Sequence, residues 1–412
     1  MSKKIFTYER TRLLVASTLA PLIACVFFGM SLGLSGLYGS DAPGHIYAAT
    51  QLDGYALQTV LFFLIGKYAK YPFLQFQFAV WETVLVMLNW MLCQKFMKRF
   101  FQIGNGITLF VSTGLFFLCS IYIPRFYPFF YRYSLGTQPW HNSTQLGMRL
   151  GATLFLYYFL NVYPTYQVGL SKLEWLRLSG VLALTTMFKP NFMISFCFAI
   201  VIALLIDIIE YKSLDSVKQA AKLGSIVIPA LIVLSIQYLL IYVRGNPDSS
   251  SGIQVVFFSN ILWEGGAYHM ALKFGRDLAF PIITWVITVW KSDDTDVFVG
   301  KITRKEKKNL HFLLLMYIVS IIVLSLFKES GPRADHGNFT WGVLVTYFTL
   351  FLYSVPFFIQ SMNTYYGKRL TTGCGTMLLD LLFVLGIILL IFHLISGVIY
   401  FVTISSGVTY FR

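Results

Sequence analysis

The sequence predicts an all-α, polytopic membrane protein of about eleven transmembrane helices with long outer loops. Three observations predict it. The chain is 57% hydrophobic and only 12% charged, whereas a soluble domain carries roughly 25% charged residues. Apolar runs of a length that crosses a hydrocarbon core of about 30 Å recur from one end to the other. Lys and Arg are divided unevenly between alternate loops, as the positive-inside bias requires. No polar run is long enough for a separate soluble domain, so residues 1–412 read as a single integral-membrane domain.

Taken in order, the expected spans lie at about 13–36, 73–93, 105–124, 150–170, 174–188, 191–208, 222–243, 277–290, 310–327, 341–361 and 376–398. Basic residues precede the first run, but no small-residue cleavage site follows it, so it reads as a retained helix. The fifth and sixth spans are joined only by Lys189-Pro190 and could also be two halves of one re-entrant feature. With the N-terminus in the cytoplasm, 20 of the 32 Lys and Arg fall on the inner side, the densest group being Lys301 to Lys308. That bias supports an odd number of spans and an outer C-terminus in a multi-pass cell-membrane protein.

The outer loops are the longer ones, at 37–72, 125–149, 244–276 and 328–340. Within the first, Tyr55–Ile65 is apolar but too short to span, which suggests an interfacial helix. Tyr211–Lys222 is mixed-charge and helix-like, in keeping with a helix on the inner surface. The net charge of +14 follows from the inner-loop bias and attraction to anionic headgroups, so no nucleic-acid partner is expected. Five cysteines without a CxxC pair indicate neither a disulfide framework nor a zinc site. P-loop, GxSxG, HExxH and GxGxxG motifs are all missing, which disfavours an ATP-driven pump and a nucleotide-binding catalytic domain.

Polar residues gather in the outer loops. His45, His141, His269 and His336 fall one in each, together with Asp41, Asp53, Asp248, Glu264, Asp277, Glu329 and Asp335. This points to one outer cavity assembled from several loops. Asp41 and His45, four residues apart, share a face if a helix 42–50 begins there. Asp41 is then a general base with His45 beside it, or simply a helix cap. Gln138 to Thr144 holds Trp140, His141 and Asn142, an aromatic beside hydrogen-bonding groups, which suits a sugar. The competing reading is an interfacial Trp with Asn142 capping the next span. Lys189 and Asn191 sit in apolar sequence, where an ionisable group is costly and defaults to function. A phosphate partner fits Lys189, as does snorkelling to the outer interface. Lys328 to Gly342 is the densest outer cluster, where Arg333 can hold a phosphate bidentately and His336 and Asn338 flank Gly337.

With Asp41 early in the first outer loop and further polar groups in later outer loops, the layout resembles the GT-C class of membrane glycosyltransferases. Gln138–Thr144 and Gly331–Gly342 also resemble stretches of bacterial membrane proteins from surface-polysaccharide loci. The resemblance implies transfer of a sugar from a polyprenyl-linked donor to a glycan or lipid acceptor at the outer membrane face. Asp41 would be the base, or would help bind a divalent metal. No cofactor is certain, because the chain has neither a paired acidic motif in the first loop nor a WWDYG-type motif. A repeat-unit polymerase of O-antigen or capsule resembles this layout too, and would use Arg132, Arg149 and Arg333. A transporter or flippase of lipid-linked oligosaccharide would instead use Glu82, Lys189-Pro190 and Asp380.

Overall fold

The computed structural model describes residues 18–33, 41–51, 56–66, 68–123, 142–243, 252–257, 267–290, 304–331, 338–372 and 377–405. The described chain is nearly all helical. Helix α1 spans Thr18–Gly33, and α2 (Ala42–Gln51) and α3 (Leu57–Gly66) are short. They are followed by α4 (Tyr71–Phe100), α5 (Asn105–Gly114), α6 (Ser143–Val162), α7 (Lys172–Phe188), α8 (Asn191–Tyr211), α9 (Leu214–Gly224) and α10 (Ile228–Tyr238). A strand β1 (Ile253–Val255) precedes α11 (Ala267–Trp290) and α12 (Arg304–Leu326). Strand β2 (Phe327–Glu329), α13 (Thr340–Thr372) and α14 (Met377–Ser405) complete the order.

Helix is found at each of the eleven expected positions. Among the described residues, six stretches are long and apolar enough to cross a membrane: Tyr71–Phe100, Asn191–Tyr211, Leu214–Ile241, Arg304–Leu326, Thr340–Gly367 and Met377–Thr403. This is the architecture of an all-α membrane protein. Helix α3 overlaps the stretch expected as interfacial and ends one residue beyond it. Lys189 and Pro190 separate two distinct helices, α7 and α8.

Helix α13 is the central pillar, with 94% of its most apolar window buried. Its apolar residues surround the axis, as a helix enclosed by others requires. In contrast, α14 buries only 22% of its window, and Leu381, Val384, Ile388, Ile391 and Ile395 lie exposed along it. That apolar outer face suits hydrocarbon. Helices α6 and α7 make the closest pair. A Cβ on Gly147 would run into the Phe188 ring, and one on Gly151 into Thr185. Gly147 and Gly151 form a GxxxG pattern, by which membrane helices approach closely without a hydrophobic driving force between them.

Polar contacts sort the bundle into two ends. At one, Lys308 Nζ lies 2.7 Å from Asp207 Oδ2, and Arg304 lies 2.9 Å from Glu210. Arg99 Nε donates to Asn161 at 3.1 Å, and the Gln102 amide N–H donates to Gln360 at 2.7 Å. Helix α9 is at this end too, where Ser216 accepts from Gln167 at 3.1 Å. These are residues expected on the inner side, and they meet one another. The opposite end carries the candidate site.

One feature runs against an all-helical reading. Strands β1 and β2 pair antiparallel, Ile253 opposite Glu329 and Val255 opposite Phe327, so the third and fourth segments expected to be outer are stitched together. Two residues expected in the outer loops also lie elsewhere. His269 falls within α11, and Asp277 is fully buried in the same helix. Asp277 accepts hydrogen bonds from Ser120 and, at 2.8 Å, from Tyr317. Arg276 turns to the Ile121 carbonyl at 2.7 Å. These partners let a charged turn continue into the bundle, so the helix starts ten residues before the expected span.

Candidate functional site

Helix α2 begins directly after Asp41, whose carbonyl accepts from the His45 amide at 2.9 Å. Pro43 sits in the first turn, where its missing N–H costs nothing. Ala42, Ile46 and Ala49 form the buried stripe, and Ala42 and Ile46 cluster with Leu74 and Phe78 of α4. That anchoring fixes Asp41 and His45 against the bundle.

The Asp41 carboxylate then meets Asn142, 101 positions away, whose Nδ2 donates to Asp41 Oδ2 at 2.9 Å. The other end of the same amide caps α6. Asn142 Oδ1 accepts from the Thr144 and Gln145 amides at 3.1 and 3.3 Å. Gln58 of α3 donates to Ser143, tying the short helix to the same turn. Asn142 is buried, and both ends of its amide are engaged. The one side chain thus links the Asp41 carboxylate to the start of α6.

A second chain of contacts comes from α8, β2 and α13. Asn191 Nδ2 donates to the Asn338 carbonyl at 2.7 Å, and Asn338 Nδ2 donates to Glu329 Oε2 at 2.6 Å. Asn191 and Asn338 are thus bridges between segments. Gly342 has Ser195 Oγ and the Asn191 carbonyl 3.1 and 3.4 Å from where a Cβ would stand. Its lack of a side chain lets α13 start tight against α8. Lys189, in the two-residue connection between α7 and α8, places Nζ 4.7 Å from the centre of the Trp341 ring. Such a contact holds the ammonium inward by cation–π attraction, not snorkelling outward.

Electrostatics join the two chains. Burial drives the His45 pKa down from 6.5 to about 4, with Asp41 raising it and Lys189 lowering it further. Burial also lowers Lys189 from 10.5 to about 8, against the pull of Asp41 and Glu329. Asp41, His45, Lys189 and Glu329 therefore share one local field. At neutral pH His45 is an uncharged imidazole and Lys189 is mostly cationic.

Four separate stretches of sequence thus converge at one end of the bundle. Of the expected site residues, Asp41, His45, Asn142, Lys189, Asn191 and Asn338 come together. Trp140, His141, Arg333 and His336 lie outside the described residues, as do Asp53, Asp248, Glu264, Asp335 and Arg132. From the sequence, Glu329 is only one of the outer-loop carboxylates and Trp341 has no role. Their signals were present: a carboxylate beside the apolar run that ends at Phe327, and a Trp at the start of the next apolar run.

Chemically, the site offers a carboxylate held by an amide donor, a neutral imidazole, and a cation on an aromatic face. It can accept a proton at Asp41 and attract an anionic group at Lys189. Among the described residues no three His, Cys, Asp or Glu side chains converge to hold a metal ion. No protein-family model matches the chain, and no curated protein or solved structure is significantly similar to it.

Proposed function

We infer that the chain is an integral-membrane glycosyltransferase. It moves a sugar from a polyprenyl-linked donor to a glycan or lipid acceptor at the outer face, in cell-surface polysaccharide assembly. The observation that carries this reading is the tie between Asp41 and Asn142, which directs a carboxylate into a polar cluster at one end of a lipid-embedded bundle.

In the reaction, Asp41 takes the proton of the acceptor hydroxyl as its oxygen bonds to the anomeric carbon of the donor. The bond from that carbon to the phosphate oxygen breaks, and the polyprenyl phosphate or pyrophosphate leaves with the electron pair. A carboxylate in hydrogen-bond reach contributes about 10²–10⁴-fold as general base. Lys189 offsets the negative charge that develops on the leaving phosphate. His45, being neutral, can donate to the acceptor or orient Asp41 without adding charge.

The test is donor choice. Purified protein should release polyprenyl phosphate or pyrophosphate from a lipid-linked sugar and transfer the sugar to an acceptor. Direct use of a water-soluble nucleotide sugar would contradict the assignment. Movement of the lipid-linked sugar across vesicles with no cleavage would favour the transporter reading.

A further inference from the structure

Two turns below the site, helix α6 carries a cation with no hydrogen-bond acceptor. Arg149 is completely buried, yet none of its three guanidinium nitrogens has a hydrogen-bond acceptor. Beside it lie the Phe348 ring, with Cζ 4.6 Å from the centroid, and the Cys93 thiol. An isolated charge in such surroundings is among the most expensive things a fold can contain. Arg149 also does not stand alone. Gln145, one turn before it on the same face, is fully buried with both amide atoms unpartnered. Asn89 of α4 accepts from Thr153, one turn beyond Arg149, at 3.1 Å, and leaves its own Nδ2 unpartnered.

Donors dominate this stripe: five guanidinium N–H bonds and two side-chain amides. No carboxylate faces them among the contacts described, so the missing partner is an acceptor with several oxygens and negative charge. The planar guanidinium fork matches a phosphate bidentately. The stripe continues upward into the site, since Asn142 caps this very helix and holds Asp41. Asn142 and Arg149 are seven residues apart, about 10 Å along the axis.

We propose that Arg149, with Gln145 and Asn89, is a buried seat for the phosphate group at the head of a lipid-linked molecule. Resting on the transferase reading, the seat holds the donor's phosphate with the sugar above it at Asp41 and the apolar tail between helices.

The experiment measures thermal stabilisation of the full-length protein in nanodiscs of neutral lipid. Polyprenyl phosphate is added in one arm and phosphatidylglycerol in the other, each to wild type, Arg149→Met and Arg149→Lys. Arg149→Met removes a buried, unpaired charge at similar volume. It should therefore be as stable as wild type or more so without ligand, and lose the stabilisation by polyprenyl phosphate. Arg149→Lys keeps the charge without the fork and should weaken the apparent affinity about tenfold or more, which decides the matter if Arg149→Met does not fold. Unchanged stabilisation in both variants would overturn the seat. Equal, Arg149-dependent stabilisation by phosphatidylglycerol would overturn the assignment to the donor. Turnover of the wild-type protein separates this proposal from the one it rests on: no sugar transfer from a lipid-linked donor, with binding still lost in Arg149→Met, rejects the transferase and keeps the seat.

Discussion

Replacing Asn142 probes the site and the fold together, because one amide serves both. Its oxygen caps α6, and its nitrogen holds Asp41 at 2.9 Å. Losing a cap of this type costs about 1 kcal/mol. Losing a hydrogen bond to a charged group costs about 1.5–3 kcal/mol. Asn142→Ala should therefore destabilise by roughly 2.5–4 kcal/mol if the two add. Asn142→Asp splits the terms. Asp caps as well as Asn, but it replaces the donor with a second carboxylate at hydrogen-bond distance from Asp41. Two such groups cannot both ionise, and one of them holds its proton to higher pH. That proton is bound more tightly in the folded state than in the unfolded one, so the stability deficit of Asn142→Asp should shrink as pH falls from 8 toward 5. Its turnover should collapse, since the base now shares a proton. Thermal unfolding in detergent across that pH range, with turnover on the same samples, tests both statements. An Asn142→Ala variant within about 0.5 kcal/mol of wild type, or an Asn142→Asp variant of normal turnover, would refute the reasoning; surface changes away from special features fall within that margin.

Two further outcomes are expected. Lys189 titrates at about 8, so binding of an anionic ligand should weaken as pH rises past 8, and Lys189→Arg should move that limb upward because guanidinium stays charged. The folded pKa is depressed, so the unfolded chain holds the extra proton between about 8 and 10.5 and this group favours the fold as pH rises; unfolding cannot then explain the loss of binding, which thermal scans at each pH will check. In the α6–α7 contact, Gly147→Leu should lower thermal stability severely because Phe188 fills the space. Gly180→Ala on α7 is the control, with nothing within 4 Å of its Cβ, and should be neutral or stabilising by about 0.5–1 kcal/mol.

Much of this architecture is written in the apolar runs, because a helix is the only open-ended element that satisfies its own backbone in lipid. The alternation of loops likewise places Asp41, Asn142, Lys189 and Asn338 at one end. What the runs do not carry is tertiary compensation. Lys273, Arg276 and Asp277 read as a loop because three ionisable residues interrupt an apolar stretch. Yet Ser120, Tyr317 and the Ile121 carbonyl receive two of them inside the bundle. The β1–β2 ladder is equally hidden, being three residues on each strand with its partners more than seventy positions apart. Asn142 could be read as ligand contact or as cap, and only its two simultaneous bonds reveal a third role. Arg149 lay at the edge of an expected loop, where an arginine needs no explanation. Full burial without an acceptor is what makes it demand one.

Asp41→Asn is the most direct test of the central claim. The amide keeps the shape and capping ability of the carboxylate and removes its basicity. With purified protein and a lipid-linked sugar donor, transfer should fall by about 10²-fold or more while donor binding and thermal stability stay near those of wild type. Near-normal transfer in Asp41→Asn would return this residue to the role of a helix cap and contradict the account.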